Sequence, residues 1–410
     1  MVPSERLLYR IGPAAAANAP SWEDAVASAL SRPIACAPLE ELARERSRVV
    51  VLVDDVTRPT PQGRLLPPLL QALGAAGVPD ENITLLVALG THRYMTQAEM
   101  RDRFGADVCR RVRVLNHEWR DPATFADLGR TERGLPVRVN RIASEADLLM
   151  GVGSIAPHIW AGWTGGGKIV LPGICSAEVI GPAHALAEEE GDLMRVSGTV
   201  EGACRHEIES VARRVGLRCV LNVVLDGGGA CLWAGFGEPV RAHRAGAAAA
   251  RKALVRPIPA LADVVIVDAS PATKDYWQGI KALAHGERGV KAGGTVILVG
   301  RFEEGIAPSH PEFQVHARAP YDSIPAAVDA GRIRDRVMVT TLRLHALLRD
   351  RCHVVCLSDG VKPEEKECLG FRHAGTAAEA LEIACESQGP AARFGVIDFG
   401  ASVLPQVRAS

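Results

Sequence analysis

Short runs of β-branched and apolar residues alternate along the chain with longer segments rich in alanine and leucine, the pattern of strands interleaved with helices. In the first half the runs predict strands at Val49 to Val53, Ile83 to Leu89, Val112 to Leu115, Asp147 to Val152 and Arg218 to Leu225. Helices fit near Gln62 to Ala76, Thr96 to Phe104, Ala177 to Glu190 and Val200 to Val215. The second half repeats the alternation, with strands expected at Val264 to Val267, Thr295 to Val299, Val337 to Thr341 and His353 to Leu357, and helices including Ala377 to Glu386. Such alternation predicts an α/β fold in which each half is a mostly parallel, Rossmann-like sheet flanked by helices.

Between the halves, VRPIPALADVVIVDAS places two prolines shortly before a new apolar run, which puts a domain junction near Pro257. A chain of 410 residues exceeds what one hydrophobic core usually serves, so two domains, 1–258 and 259–389, fit the length as well as the punctuation.

Composition narrows the partners. Lys plus Arg total 47 against 48 Asp plus Glu, so no excess of basic residues points to nucleic acid or an acidic membrane. No stretch approaches the ~20 apolar residues that span a bilayer, and the start lacks a basic segment followed by an apolar core, so a cytoplasmic protein acting on a small molecule is expected. The ten cysteines have no regular spacing and read as reduced thiols. Cys352 and Cys356 flank His353 at a spacing that could hold a metal, but their segment reads as a buried strand.

Candidate chemistry lies where strands end, the side of an open α/β sheet at which ligands bind. DDVTRPTP follows the Val49 run, and there Thr57, Arg58 and free backbone amides suit a phosphate while Asp55 suits ribose hydroxyls, although the same residues also make an ordinary turn. GTHR ends the next run, where His92 is poised for a cleft, although a lone histidine is more often structural. GSIAPHIWAGWTGGGKIVLPG follows the Asp147 run, and its glycines allow close backbone approach to a ligand. Gly162 to Lys168 satisfies the phosphate-loop spacing G-x-x-x-x-G-K, but Ile169 replaces the Ser or Thr that would hold magnesium and Pro172-Gly173 interrupt the helix that should follow. Lys168 reads instead as a nucleophile or a solvated loop lysine. His184, taken alone, is an ordinary helical histidine. In DYWQGIKAL, Gln278 and Lys281 are three apart on one helix face and could grip a carboxylate, or face solvent.

Taken together and in this order, DDVTRPTP, GTHR, PHIWAGWTGGGKIVLPG, His184 and QGIK resemble the lactate racemase family over nearly the whole chain. Lys168 lies ten residues after His158 and sixteen before His184, as that family's catalytic histidine, tethering lysine and metal-binding histidine are arranged. The resemblance implies a cofactor, pyridinium-3,5-bisthiocarboxylic acid mononucleotide, bound covalently to Lys168, with nickel held by the nucleotide and His184. Sulfur donors with an imidazole suit nickel(II). It further implies that Asp55, Thr57, Arg58, Thr164, Gly165 and Gly166 hold the nucleotide, that His92 and His158 are acid and base, and that Gln278 and Lys281, bordered by Trp277, hold a 2-hydroxy acid in an interdomain cleft.

On the same footing, the chain acts as a racemase or epimerase through a 2-keto acid, with cofactor-making proteins of the host as its partners, and residues 390–410 return to the first domain. A nucleotide-binding relative without turnover, or a phosphate-loop NTPase, is the alternative. A mere binding module needs none of His92, His158, Lys168 and His184 in particular, and all four are present.

Overall fold

The computed structural model describes Val2 and residues 4–408. Two six-stranded sheets dominate it. In the first, the order is Cys231–Gly237, Leu217–Leu225, Leu148–Ser154, Val49–Val53, Ile83–Val87 and Arg113–Asn116. All neighbours run parallel except Cys231–Gly237, which returns antiparallel on Leu217–Leu225. Val49–Val53 and Leu148–Ser154 are buried at every position, as strands covered on both faces must be.

This order has a consequence for the site. From Val49–Val53 the chain builds outward on one side through Ile83–Val87 and Arg113–Asn116, then crosses to add Leu148–Ser154 and Leu217–Leu225 on the other. Connections leaving adjacent strands in opposite directions open a crevice at the strands' carboxyl ends. The segments beginning at Asp54 and at Ile155 leave from the two lips of that crevice, and Gly90–His92 from the strand beside it.

The second sheet is wholly parallel, in the order Leu7–Ile11, Phe394–Ile397, Ala262–Asp268, Val290–Val299, His353–Leu357 and Arg372–Ala374. Its edge corrects the expected partition. The amino-terminal LLYRI run, not foreseen as a strand, pairs with Phe394–Ile397 inside this second sheet. The closing segment therefore completes the second half and does not rejoin the first sheet, and its last strand, Leu404–Val407, pairs with Val255–Ile258 at the expected junction. Proximity along the chain misleads here because the register is set by apolar faces that meet across almost the whole sequence.

Val337 to Thr341, expected as a strand, instead leads into the helix Val339–Arg351. Thr340, Thr341, Leu344 and Leu348 are buried at helical spacing, so the β-branched run is the first turn of a buried helix, an ambiguity that a short apolar run leaves open. The helix begun at Ala177 stays α-helical only to Ala185 and tightens to a 3-10 turn over Leu186–Glu190. All ten cysteines are free thiols; Cys352 ends a helix and Cys356 lies in a strand, and no metal cluster joins them. Among the described residues no helix is long and apolar enough to cross a membrane.

Candidate functional site

A cavity of about 960 Å³, its open mouth included, lies over the crevice of the first sheet. Asp55, Arg58, His92, His158, Thr164, Gly165, Lys168 and His184 line it from the first half; Trp277, Gln278 and Lys281 line it from the second. Two expected residues do not reach it. Thr57 faces a smaller adjoining pocket and donates its hydroxyl to Asp55 Oδ1 at 2.6 Å, while Gly166 is turned away with its N–H on Asn222 Oδ1 at 2.8 Å.

His92 is the best-oriented group. Its Nδ1 lies 2.7 Å from Asp55 Oδ2, and the other Asp55 oxygen accepts from the Thr57 amide and hydroxyl. Burial alone would raise the Asp55 carboxyl, but the charge and hydrogen bond of His92, with Arg58 and Thr57, hold it well below the usual carboxylate range. An ionised Asp55 requires the His92 proton on Nδ1, leaving the Nε2 lone pair to accept from Gln278 Nε2 at 3.0 Å. Asp55, expected to serve a ribose, thus spends both oxygens inside the protein.

The other histidine has the opposite polarity. His158 sits in a short hairpin whose two-residue strands, Pro157–His158 and Gly162–Trp163, are joined by three residues, and its Nδ1 accepts the backbone N–H groups of Trp160 and Ala161 at 3.1 and 3.3 Å. Nδ1 must then be bare, so the neutral ring carries its proton on Nε2. Gly162 makes the hairpin possible. Its φ is +71°, and a Cβ there would lie 2.0 Å from the Thr199 carbonyl oxygen.

Lys168 lies on the 3-10 turn Gly166–Ile169 and is 8% exposed. Burial first, then the charges of Arg58 and Arg205, push its pKa well below the ordinary lysine value, which favours the nucleophilic form of an amine that lines the cavity. Burial and the charge of Lys168 likewise keep His184 neutral, pushed down to about 3. His184 Nε2 is buried without a hydrogen-bond partner, a costly arrangement for an imidazole nitrogen unless something else occupies it. No group of three or more His, Cys, Asp or Glu side chains able to hold a metal occurs among the described residues, so a metal at His184 needs donors from outside the chain.

On the facing wall, Asp275 caps the helix Tyr276–Glu287 by accepting the Gln278 N–H at 2.7 Å. That helix presents Gln278 and Lys281 together, with the Lys281 ammonium on Gln278 Oε1. Burial and the charges of Arg58 and Lys168 lower the Lys281 pKa well below its usual value. A carboxylate arriving here would meet the Lys281 amino group and, in the same cavity, the Arg58 guanidinium.

Several lining residues were not foreseen. Asp54 is clamped by Arg103 at 2.5 Å and by Gln62 at 3.0 Å, Ser154 ends a strand, and Asn222 anchors the Gly166 turn. An asparagine inside the apolar run LRCVLNVVL was the available signal, since a buried amide must find partners.

Residues 1–193 match the family model described as lactate racemase N-terminal domain. The chain is 29% identical over 394 residues to the lactate racemase of Lactiplantibacillus plantarum, covering 94% of this chain and 92% of that one. It is 28% identical over 388 residues to the lactate racemase of Thermoanaerobacterium thermosaccharolyticum, covering 94% and 90%. The apoprotein structure of a lactate racemase from the latter organism superposes with a TM-score of 0.85 at 27% identity, over 99% of this chain and 96% of that one. A Thermotoga maritima protein shares the fold alone, with a TM-score of 0.76 at 18% identity over 95% of this chain and all of that one.

Proposed function

Because residues 1–193 match the lactate racemase N-terminal domain model and the chain resembles lactate racemases along nearly its whole length, we propose that it is a member of that family and an isomerase that inverts C2 of a 2-hydroxy acid, lactate or a larger relative. One observation carries the reading: a free lysine amine, an unpartnered imidazole nitrogen and two histidines of opposite polarity converge on one cavity.

The residues present fit a nickel-pincer nucleotide. Lys168 supplies a nucleophilic amine for its attachment, His184 Nε2 a vacant nitrogen donor, and Arg58 with Thr164 and the Gly165 backbone a phosphate and ribose wall. When bound, that group supplies reversible acceptance of hydride from C2 of the substrate.

The chain's own residues do the rest. Lys281 and Gln278 fix the substrate carboxylate, and with it the hydroxyl, against His92. The His92 Nε2 lone pair takes the hydroxyl proton as C2 is oxidised to the keto level, and the Asp55 carboxylate stabilises the imidazolium formed. A trigonal C2 can be reduced on either face. His158 stands as proton donor to the oxygen for the opposite hand, and the roles exchange for the reverse direction. The buried walls of Trp160, Ile180 and Val337 keep water from the keto acid.

The test is the mass of the Lys168 peptide and the nickel content after co-production with a cofactor-making system, followed by racemisation of single enantiomers of lactate and larger 2-hydroxy acids. A nucleotide adduct on Lys168 with inversion is expected, and Lys168→Ala should abolish both. Unmodified, nickel-free Lys168 despite a working supply would overturn the proposal.

A further inference from the structure

A second cluster of buried polar groups adjoins the site and is used by none of the chemistry above. His310 is 3% exposed, with Nδ1 2.6 Å from Asp335 Oδ2 and Nε2 3.2 Å from Thr91 Oγ1. Its ring stacks on Trp277, centroids 4.5 Å apart and planes 26° from parallel, while Phe313 packs edge-on against the other flank of the indole at 5.7 Å. Burial would raise the Asp335 carboxyl, but the hydrogen bond and charge of His310 and the amides of Val337 and Met338 hold it below its ordinary value. The ionised carboxylate fixes the His310 proton on Nδ1, so Thr91 donates its hydroxyl to Nε2.

Each partner of this imidazole leads to the cavity wall. Thr91 lines the cavity and directly precedes His92. Asp335 accepts the Val337 N–H at 3.0 Å, and Val337 lines the same cavity. Trp277 lies four residues before Lys281, hence on the same face of the helix Tyr276–Glu287 as the lysine that meets the carboxylate. Trp277, Val337, Thr341 and Ile180, which carry no charge, line the same cavity as Lys281.

We propose that His310, braced by Asp335 and Thr91, is a positioning residue that sets the Trp277–Val337 wall against the His92 segment and so selects an uncharged, apolar substituent on C2. The proposal rests on the 2-hydroxy acid reading of the site. Because a rigid stack and two directed hydrogen bonds hold the indole, wall and base keep one spacing, and substituents that fill it are favoured over those that do not. Charged substituents such as a second carboxylate find no partner on this wall and are rejected.

The experiment compares wild type with His310→Ala, Asp335→Asn, Trp277→Ala and Thr91→Val. The last removes one hydrogen bond with little change of shape, so it remains informative should His310→Ala fail to fold. Calorimetry on cofactor-free protein measures Kd for 2-keto acids bearing methyl, isobutyl, benzyl and carboxymethyl groups. On loaded protein, kcat and KM are measured for the matching 2-hydroxy acids, with the Lys168 adduct quantified by mass.

Wild type should prefer a neutral substituent over carboxymethyl. His310→Ala should compress the spread of Kd among neutral substituents about ten-fold, the size carried by one stacked pair or hydrogen bond, with KM rising and kcat within about three-fold, and Trp277→Ala should compress that spread by at least as much. Asp335→Asn and Thr91→Val should move it in the same direction by less. Unchanged selectivity in folded variants, or a fall in kcat with KM and selectivity intact, would overturn the positioning role while leaving the function reading in place. Failure of wild type to bind any of these acids would overturn the function reading, and this inference with it.

Discussion

Replacing Asp55 by asparagine tests the acid–base assignment at one atom. The Thr57 backbone N–H, 3.1 Å from Asp55 Oδ1, cannot become an acceptor, so the asparagine carbonyl must face it and the amide NH₂ must face His92 Nδ1. A donor opposite Nδ1 drives the ring proton to Nε2, the nitrogen that has to accept the hydroxyl proton. Turning the amide the other way restores the tautomer but leaves a buried N–H unpaired, which costs about 1–3 kcal/mol. The carboxylate's support of the imidazolium, a charge-assisted bond of about 1.5–3 kcal/mol, is lost in either orientation. At about 1.4 kcal/mol per factor of ten, the two together predict a fall in kcat/KM of about 10² to 10⁴, in the range of about 10⁴ known for the same change beside a protease histidine.

The assay is racemisation of each pure enantiomer, followed by chiral chromatography and normalised to the Lys168 adduct measured by mass. For a racemase the equilibrium constant is one, so both directions must lose kcat/KM equally. A variant within about five-fold of wild type per loaded molecule would refute the tautomer argument. Reduced loading with normal turnover per loaded molecule would instead return Asp55 to the ribose role first expected from its motif.

Other outcomes follow from the same geometry. Gly162→Ala should yield little folded protein, because a Cβ 2.0 Å from the Thr199 oxygen at φ +71° forces the His158 hairpin apart; a thermal midpoint within about 1 °C of wild type, about 1 kcal/mol for a chain this long, would contradict this. His158→Gln, which keeps a donor, should retain at least about ten-fold more kcat than His92→Gln, which loses the base; equal losses would make the two histidines interchangeable. Cofactor-free protein should lose stability as pH falls below about 6.5. Burial holds His117 down to about 4 and His285 and His345 down to about 3, so the unfolded chain binds protons that the native state refuses, and stability rises with pH across that window. The three together contribute up to about 4 kcal/mol per pH unit, and a urea midpoint unchanged between pH 7.5 and 5.5 would refute it.

Much of this was legible in the sequence because the site is built where strands end. The runs before Asp54, Gly90 and Ile155 are continuous and apolar, as central parallel strands must be, and the polar residues that interrupt them are the ones that line the cavity. Local patterns carried no information about partners distant in sequence. LLYRI at the start and FGVI near the end are unremarkable alone and become adjacent strands only through the assembled second sheet. The Val337 run read as a strand because five successive β-branched or apolar residues fit both periods, and only the buried faces of Leu344 and Leu348 decide for helix. The pairing of Asp55 with His92 was hidden for the same reason, since each motif explains itself locally and their meeting depends on the strand order.

That meeting bears on how two histidines can serve two enantiomers. One ring is held by a carboxylate that accepts at Nδ1, the other by two backbone N–H groups that donate to Nδ1. Protonating His158 sets an N–H against N–H groups, so the cationic form is disfavoured there by burial, by Lys168 and by the hairpin itself. A bound phosphate and carboxylate oppose that bias with negative charge. Lys168 and Lys281, both held below their ordinary pKa by burial and by neighbouring positive charge, thus belong to a cavity rich in cationic groups, and on the proposed reading the anionic groups of cofactor and substrate would raise His158 toward its ordinary value. On that reading substrate binding and acid–base competence would be one electrostatic event, with Asp55 orienting His92 and the ligands acting on its counterpart.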